Sequence, residues 1–261
     1  TYDVAAITPW GGYYFTSDVL VTSNIEGYYK WTINPFLFFQ KALRIADIPV
    51  PDLSSENGSR LMMAHVDGDA FGLLAEVEGS PFVSEVLFND FIKKYKIPTT
   101  VSVISGELAS YGIQPKLTPK LEPLARKIFA SPYVEIGTHT YSHPFDWPKA
   151  EAYTYKGNEV NPYSLPLKNY KFNLRTEVQG SVDYINKNLA PTGKPCKAIL
   201  WSGQGDISEE ALKYSYEAGL ANINPGTLVN NFHQSISNIS SVGIYEGPYF
   251  QVFAPTGNDH E

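Results

Sequence analysis

The sequence predicts an α/β protein in which short apolar strands alternate with longer amphipathic helices, as a layered sheet or a barrel. Three observations carry this. From Arg60 onward, short apolar runs alternate with segments of helical period. The chain has 261 residues, 43% of them hydrophobic, enough to bury a full core. No internal repeat or low-complexity stretch interrupts the pattern.

Taken in order, residues 1–58 form an aromatic, turn-rich segment that includes Pro9-Trp10-Gly11-Gly12-Tyr13-Tyr14. One helix is expected there, over Pro35–Ile45, because proline lacks only an N–H that a first helical turn leaves unbonded. Pro49-Val50-Pro51 reads as a linker, and residues 59–261 as the α/β domain. Its expected strands are Leu61–Val66, Thr99–Ile104, Val134–Gly137, Ala198–Trp201, Leu220–Ile223 and Phe250–Phe253. Helices are expected between them at Ser84–Tyr95, Pro119–Ala130, Leu174–Asn188 and Ser208–Ala218. The last opens Ser208-Glu209-Glu210-Ala211, with acids where the helix dipole favours them.

Charge and length exclude several classes. The 20 Lys and Arg against 27 Asp and Glu give a net −7, and no basic cluster could grip a phosphate backbone, so nucleic acid is excluded as a partner. Apolar stretches such as Pro35–Phe39 and Leu61–Ala64 fall far short of the roughly 20 residues of a membrane-spanning helix. The single cysteine, Cys196, excludes an internal disulfide and reads as a buried small hydrophobe. The sequons Asn57-Gly58-Ser59 and Asn238-Ile239-Ser240 are short enough to arise by chance. The start at Thr1 without a targeting segment, and the stop soon after the strand-like Tyr249–Ala254, read as the ends of a piece of a longer protein.

In α/β folds ligands gather at the carboxyl ends of strands. Three expected strand ends carry chemistry: His65-Val66-Asp67-Gly68-Asp69, Gly137 through His143, and Trp201-Ser202-Gly203. Asp67 and Asp69 flank a glycine, and carboxylates so close repel unless a cation or a proton is shared. The bland alternative is an Asp-Gly turn. A calcium loop is rejected because Phe71 falls on a ligand position and a strand precedes the loop where a helix should. His139 and His143 are spaced to aim two imidazoles at one ion, and Pro144 disfavours a helical conformation at His143. Two imidazoles and one carboxylate at strand ends make a facial set that leaves positions open for water and substrate; by spacing alone either Asp can be the ligand.

At these residues the chain resembles the NodB-type polysaccharide deacetylases, whose second motif, His-[Ser/Thr]-x-x-His, stands here as His139-Thr140-Tyr141-Ser142-His143. The wider text is similar to the PelA-type exopolysaccharide deacetylase domains. The matching stretches are Glu56 to Arg60, His65 to Asp69, Gly79-Ser80-Pro81-Phe82, Val101 to Ile104, Ser142-His143-Pro144-Phe145 and Gln251 to Pro255. The resemblance implies a NodB-like distorted (β/α) barrel, incomplete at its C-terminus. It implies Asp67 as general base, and Asp69, His139 and His143 as ligands of a divalent metal: zinc first, with cobalt, nickel or iron also suited. The implied reaction is N-deacetylation of an acetylated amino-sugar polymer during biofilm matrix production, with Tyr141, Phe145, Trp147 and Trp201 as an apolar platform for a sugar ring, Trp147 the preferred contact and a backbone N–H near Ser202-Gly203 to receive the oxyanion; taken singly, each of the four aromatics reads more readily as a core side chain. The implied setting is a Gram-negative periplasm, with other exopolysaccharide export proteins as partners. The third family motif usually carries Arg and Pro, and here it stands as Trp201-Ser202-Gly203-Gln204. No general acid is evident: His233 and His260 lack motif support, so the acid is expected beyond Glu261. Two rival readings are a metal-dependent glycosyltransferase using Asp67-Gly68-Asp69, which leaves both histidines without a role, and a non-catalytic carbohydrate-binding domain, which leaves Asp67 without one.

Overall fold

A computed structural model describes residues 2–22, 29–45, 64–224 and 242–253. They fall into two compact units, residues 2–45 in the first and the rest in the second. The boundary expected at 58/59, the Pro49 linker, both sequons, His233 and His260 lie outside the described residues.

In the first unit, strands β1 (Ala5–Thr8) and β2 (Gly11–Tyr14) pair antiparallel. A helical turn, α1 (Thr16–Val19), leads into β3 (Leu20–Thr22), which pairs antiparallel with β4 (Tyr29–Trp31). Helix α2 spans Pro35–Leu43. The Asn34 side chain accepts the Leu37 N–H at 2.9 Å, Pro35 occupies the first turn, and Arg44 in the left-handed region ends the helix two residues before the expected Ile45. Tyr14, Trp31, Phe38 and Phe39 meet edge to face around α2, with Tyr14, Trp31 and Phe38 half-buried and Phe39 exposed.

The second unit is an α/β half-barrel. Strand β5 (Ala64–Val66) precedes a helical run of α3 (Val83–Val86), a π-helical segment (Leu87–Ile92) and α4 (Lys93–Tyr95). Strand β6 (Thr99–Val103), a short α5 (Ser105–Leu108) and α6 (Thr118–Phe129) follow. Next come β7 (Val134–Thr138), α7 (Trp147–Ala152), a second π-helical segment (Thr176–Gly180) and α8 (Ser181–Asn188). The chain continues through β8 (Ala198–Leu200), α9 (Glu209–Glu217), β9 (Ala221–Asn224), β10 (Val242–Glu246) and β11 (Tyr249–Phe253).

The sheet order is β10-β11-β9-β8-β7-β6-β5, every pair parallel except β10 with β11. Strands β5 to β9 lie side by side in chain order with no reversal, the winding of a (β/α) barrel and not of a doubly wound sheet. Central strands are buried: Val101, Val103, Ile136 and Ile199 pack with Leu121, Ile128 and Phe129 of α6 and Ile185 of α8.

All four helices expected here form, with no end more than two residues from its expected limit. The chain was not expected to make β10, whose Val-Gly-Ile-Tyr-Glu text lacks a long apolar run; it is recruited as an antiparallel edge through a turn at Gly247, φ 58°. Nor was the π-helical form of two helical runs foreseen, since hydrophobic period does not distinguish a local widening.

Candidate functional site

The carboxyl ends of β5, β7 and β8 converge. After β5, Asp67 Oδ1 accepts the Asp69 N–H at 3.2 Å, an Asx turn that leaves Asp67 exposed and turns Asp69 toward the histidines. Gly68 between them is buried, and a Cβ there would lie 2.8 Å from His139 Cβ and 2.9 Å from the Ile104 N. Only glycine lets the two strand ends approach this closely.

His139 follows β7 and is 3% exposed. Its Nδ1 lies 2.7 Å from the Leu200 carbonyl at the end of β8, which obliges Nδ1 to carry the proton and leaves the Nε2 lone pair free. Burial, reinforced by His143, pushes its pKa down, so the ring is neutral at pH 7, the form that ligates a metal. His143 Nε2 is buried and lies 2.9 Å from Asp69 Oδ1, without the alignment of a hydrogen bond, and His139 Nε2 is 3.7 Å from the same oxygen. The His143 imidazole beside Asp69 holds its carboxyl below the usual carboxylate range. One donor atom from each of Asp69, His139 and His143 lies within 4.8 Å of the others. An inward-facing imidazole nitrogen left without a hydrogen bond, a neutral partner imidazole and a carboxylate are the donor set and spacing that fit a divalent cation such as zinc.

The loop between the histidines is tightly held. Thr140 and His143 have φ of 69° and 51°, the left-handed region, as Pro144 after His143 foreshadows in disfavouring a helix there. Ser181 binds Thr138, Ser105 and the Thr140 carbonyl from α8. Glu177, fully buried, accepts from the loop's backbone and from Tyr170. Burial pushes the Glu177 carboxyl up and those hydrogen bonds oppose it. Sequence reasoning missed Glu177 and Ser181, because only the fold brings α8 and its π-helical lead to this loop.

Two of the sequence-selected sugar contacts are corrected. Trp147 and Trp201 are 0% exposed, packed edge to face at 5.3 Å, and the Trp147 indole N–H donates to the Ser202 carbonyl. Neither can present a ring face to a sugar, because both fill the core under the site. Ser202 is also buried, its hydroxyl donating to the Pro144 carbonyl, so its side chain fastens the His143 loop to β8. Tyr141 is half-buried, stacked on Tyr111 at 5.3 Å and flanked by Tyr170. Phe145, 43% exposed with its ring 5.4 Å from that of His143, is the open aromatic next to the imidazoles. Cys196 is buried and its thiol is pushed up to about 12, so it is no nucleophile.

Compared with known families, residues 80–223, over half of the chain, match the family described as "Polysaccharide deacetylase". That match includes both histidines and begins after Asp67 and Asp69. Among solved structures, the "BpsB deaceylase domain from Bordetella bronchiseptica" aligns with a TM-score of 0.39 and 15% identity. The alignment covers 62% of this chain and 62% of that one, so this chain spans under two thirds of that structure's length. No curated protein matches the chain. The family match, which runs from β6 into β9 and includes the loop after β7 that carries both imidazoles, makes this chain a member of the polysaccharide deacetylase family.

Proposed function

We propose that the protein is a metal-dependent N-deacetylase of an acetylated amino-sugar polymer, of the PelA type that serves biofilm matrix production. The observation that carries this reading is the convergence of Asp69, His139 and His143 within 4.8 Å at the carboxyl ends of parallel strands, in a chain of this family. These three side chains hold the cation, zinc by preference, and Phe145 offers its exposed ring to the sugar. Held there, a divalent cation would supply Lewis-acid polarisation of the amide carbonyl and a water acidified toward about 7. Asp67 is the general base: its Oδ1 is committed to the Asp69 N–H, and Oδ2 remains to take a proton from the attacking water. His139, held by Leu200, and His143, held by its left-handed turn, keep their Nε2 atoms on Asp69 and need no rearrangement when substrate arrives.

The polymer is modified during export, so the protein acts in a Gram-negative periplasm beside other export proteins. A complete gene product lacking both an export signal and a membrane-anchored partner would overturn that setting. The activity is tested by loading the protein with zinc and measuring acetate release from N-acetylated amino-sugar oligomers. Release that disappears on chelation and returns with zinc supports the reading. Bound zinc without release from any acetylated sugar polymer would sink it in favour of a non-catalytic binding domain.

A further inference from the structure

The turn that carries both histidines is held through its backbone N–H groups and through the carbonyls of its three middle residues. The Thr140 and Tyr141 carbonyls accept from the Ser105 and Gly106 amides at the start of α5, and the Ser142 carbonyl accepts from Leu165. The Thr140 N–H reaches Thr138 Oγ1 and the His143 N–H reaches Thr140 Oγ1, each at 3.1 Å. The N–H groups of Tyr141 and Ser142 both turn to one atom, Glu177 Oε2, at 3.1 and 2.8 Å. The other carboxyl oxygen, Oε1, accepts from the Ser142 hydroxyl and, at 2.6 Å, from the Tyr170 hydroxyl. Glu177 is 0% exposed and sits in the π-helical segment Thr176–Gly180, so four donors fill the four acceptor sites of one buried carboxylate.

Left-handed φ at Thr140 and His143 is unfavourable for residues that carry a Cβ, and persists only where the surroundings impose it. Without the Glu177 acceptor, the buried Ser142 amide and the part-buried Tyr141 amide lose their partner, and the turn can recover one only by moving. Such movement rotates the His143 ring, which now stands 2.9 Å from Asp69. We infer that Glu177 is the positioning residue of the metal site: by accepting the Tyr141 and Ser142 amides it fixes the turn that brings both Nε2 atoms onto Asp69. The inference rests on the reading of Asp69, His139 and His143 as metal ligands. Glu177 touches neither metal nor substrate, and acts through hydrogen bonds and not through its charge. An amide can therefore replace it: a Gln oxygen accepts both backbone N–H groups, while its NH2 donates to the Ser142 and Tyr170 hydroxyls, which can reverse their roles.

The test measures zinc affinity by competition with a chromophoric chelator in wild type, Glu177→Gln, Glu177→Asp and Glu177→Ala, with thermal melting of each. Gln is expected to keep the affinity within about threefold, whereas Ala, and Asp one methylene too short, lose on the order of 10–100-fold while melting cooperatively. If Ala does not fold, the Asp and Gln pair decides. Wild-type affinity in a folded Asp or Ala variant would overturn the inference, and a Gln variant as weak as Ala would overturn its hydrogen-bond basis. Absence of zinc binding by wild type would instead overturn the ligand reading on which the inference rests.

Discussion

His139 enters the site with its Nδ1 proton committed to Leu200, and Asp67 with one carboxyl oxygen committed to the Asp69 amide, so each can be altered for a separate effect. Asp67→Asn removes a proton acceptor and leaves Asp69, His139 and His143, the proposed ligands, in place. It should keep zinc affinity within about tenfold and slow deacetylation by roughly 100-fold or more. His139→Ala should lose zinc and activity together. Metal content and acetate release measured on both variants decide the roles: equal metal loss would make Asp67 a ligand. A pH effect follows from the burial of His139. Its folded pKa lies below the ordinary imidazole value near 6.5, so below that pH the unfolded chain takes up a proton that the fold resists. In metal-free protein this contribution destabilises the fold as pH falls from the unfolded value near 6.5 to the folded value of about 4. Denaturant melts across that range should show a shallower decline for His139→Gln than for wild type, and an equal decline would show that His139 titrates normally in the fold.

Between elements, the close approach of β5 to β7 depends on Gly68. Gly68→Ala puts a Cβ 2.8 Å from His139 Cβ and 2.9 Å from a backbone nitrogen, and neither neighbour is the free end of a flexible side chain. Separation of the strand ends should cost about 1–3 kcal/mol by overpacking and carry Asp69 away from the imidazoles. Urea unfolding and zinc titration should register both losses, and unchanged zinc affinity would mean that the loop after β5 adapts freely. Spacing and residue type already marked the chemical residues of this junction. The turn holders were invisible because Glu177 and Ser181 look like ordinary polar positions of an amphipathic helix, and Leu200 contributes a carbonyl that every residue owns.

Across the whole second unit, a sheet wound in chain order keeps β7 central, with Ile136 1% exposed between β6 and β8. Ile136→Ala should destabilise it by about 2–5 kcal/mol through lost burial and a residual cavity, read from urea midpoints at unchanged slope. Zinc at about 100 times its Kd should raise stability by roughly 2.7 kcal/mol, because it binds the folded state, and a chelator should reverse the shift. A melting temperature indifferent to zinc would argue that the three ligand atoms do not act on one ion.

Hydrophobic alternation, proline at helix starts and acids in a first turn determined the order and type of the principal elements. The strand and helix at Thr99–Val103 and Thr118–Phe129 lie within a residue of their expected limits. Metal-ligand chemistry is confined to few residue types at strand ends, so Asp69, His139 and His143, whose donor atoms lie within 4.8 Å of one another, could be singled out from the sequence. Burial was legible only in part: Trp147 and Trp201 each read more readily as core than as sugar platform, yet Trp147 was the preferred sugar contact, because an aromatic ring carries the same letter in a groove and in a core. Which face each ring shows, which buried carboxylate receives the Tyr141 and Ser142 amides, and the recruitment of β10 at the sheet edge were decided by tertiary structure alone. These depend on contacts between residues distant in the chain, and local periodicity carries no information about them.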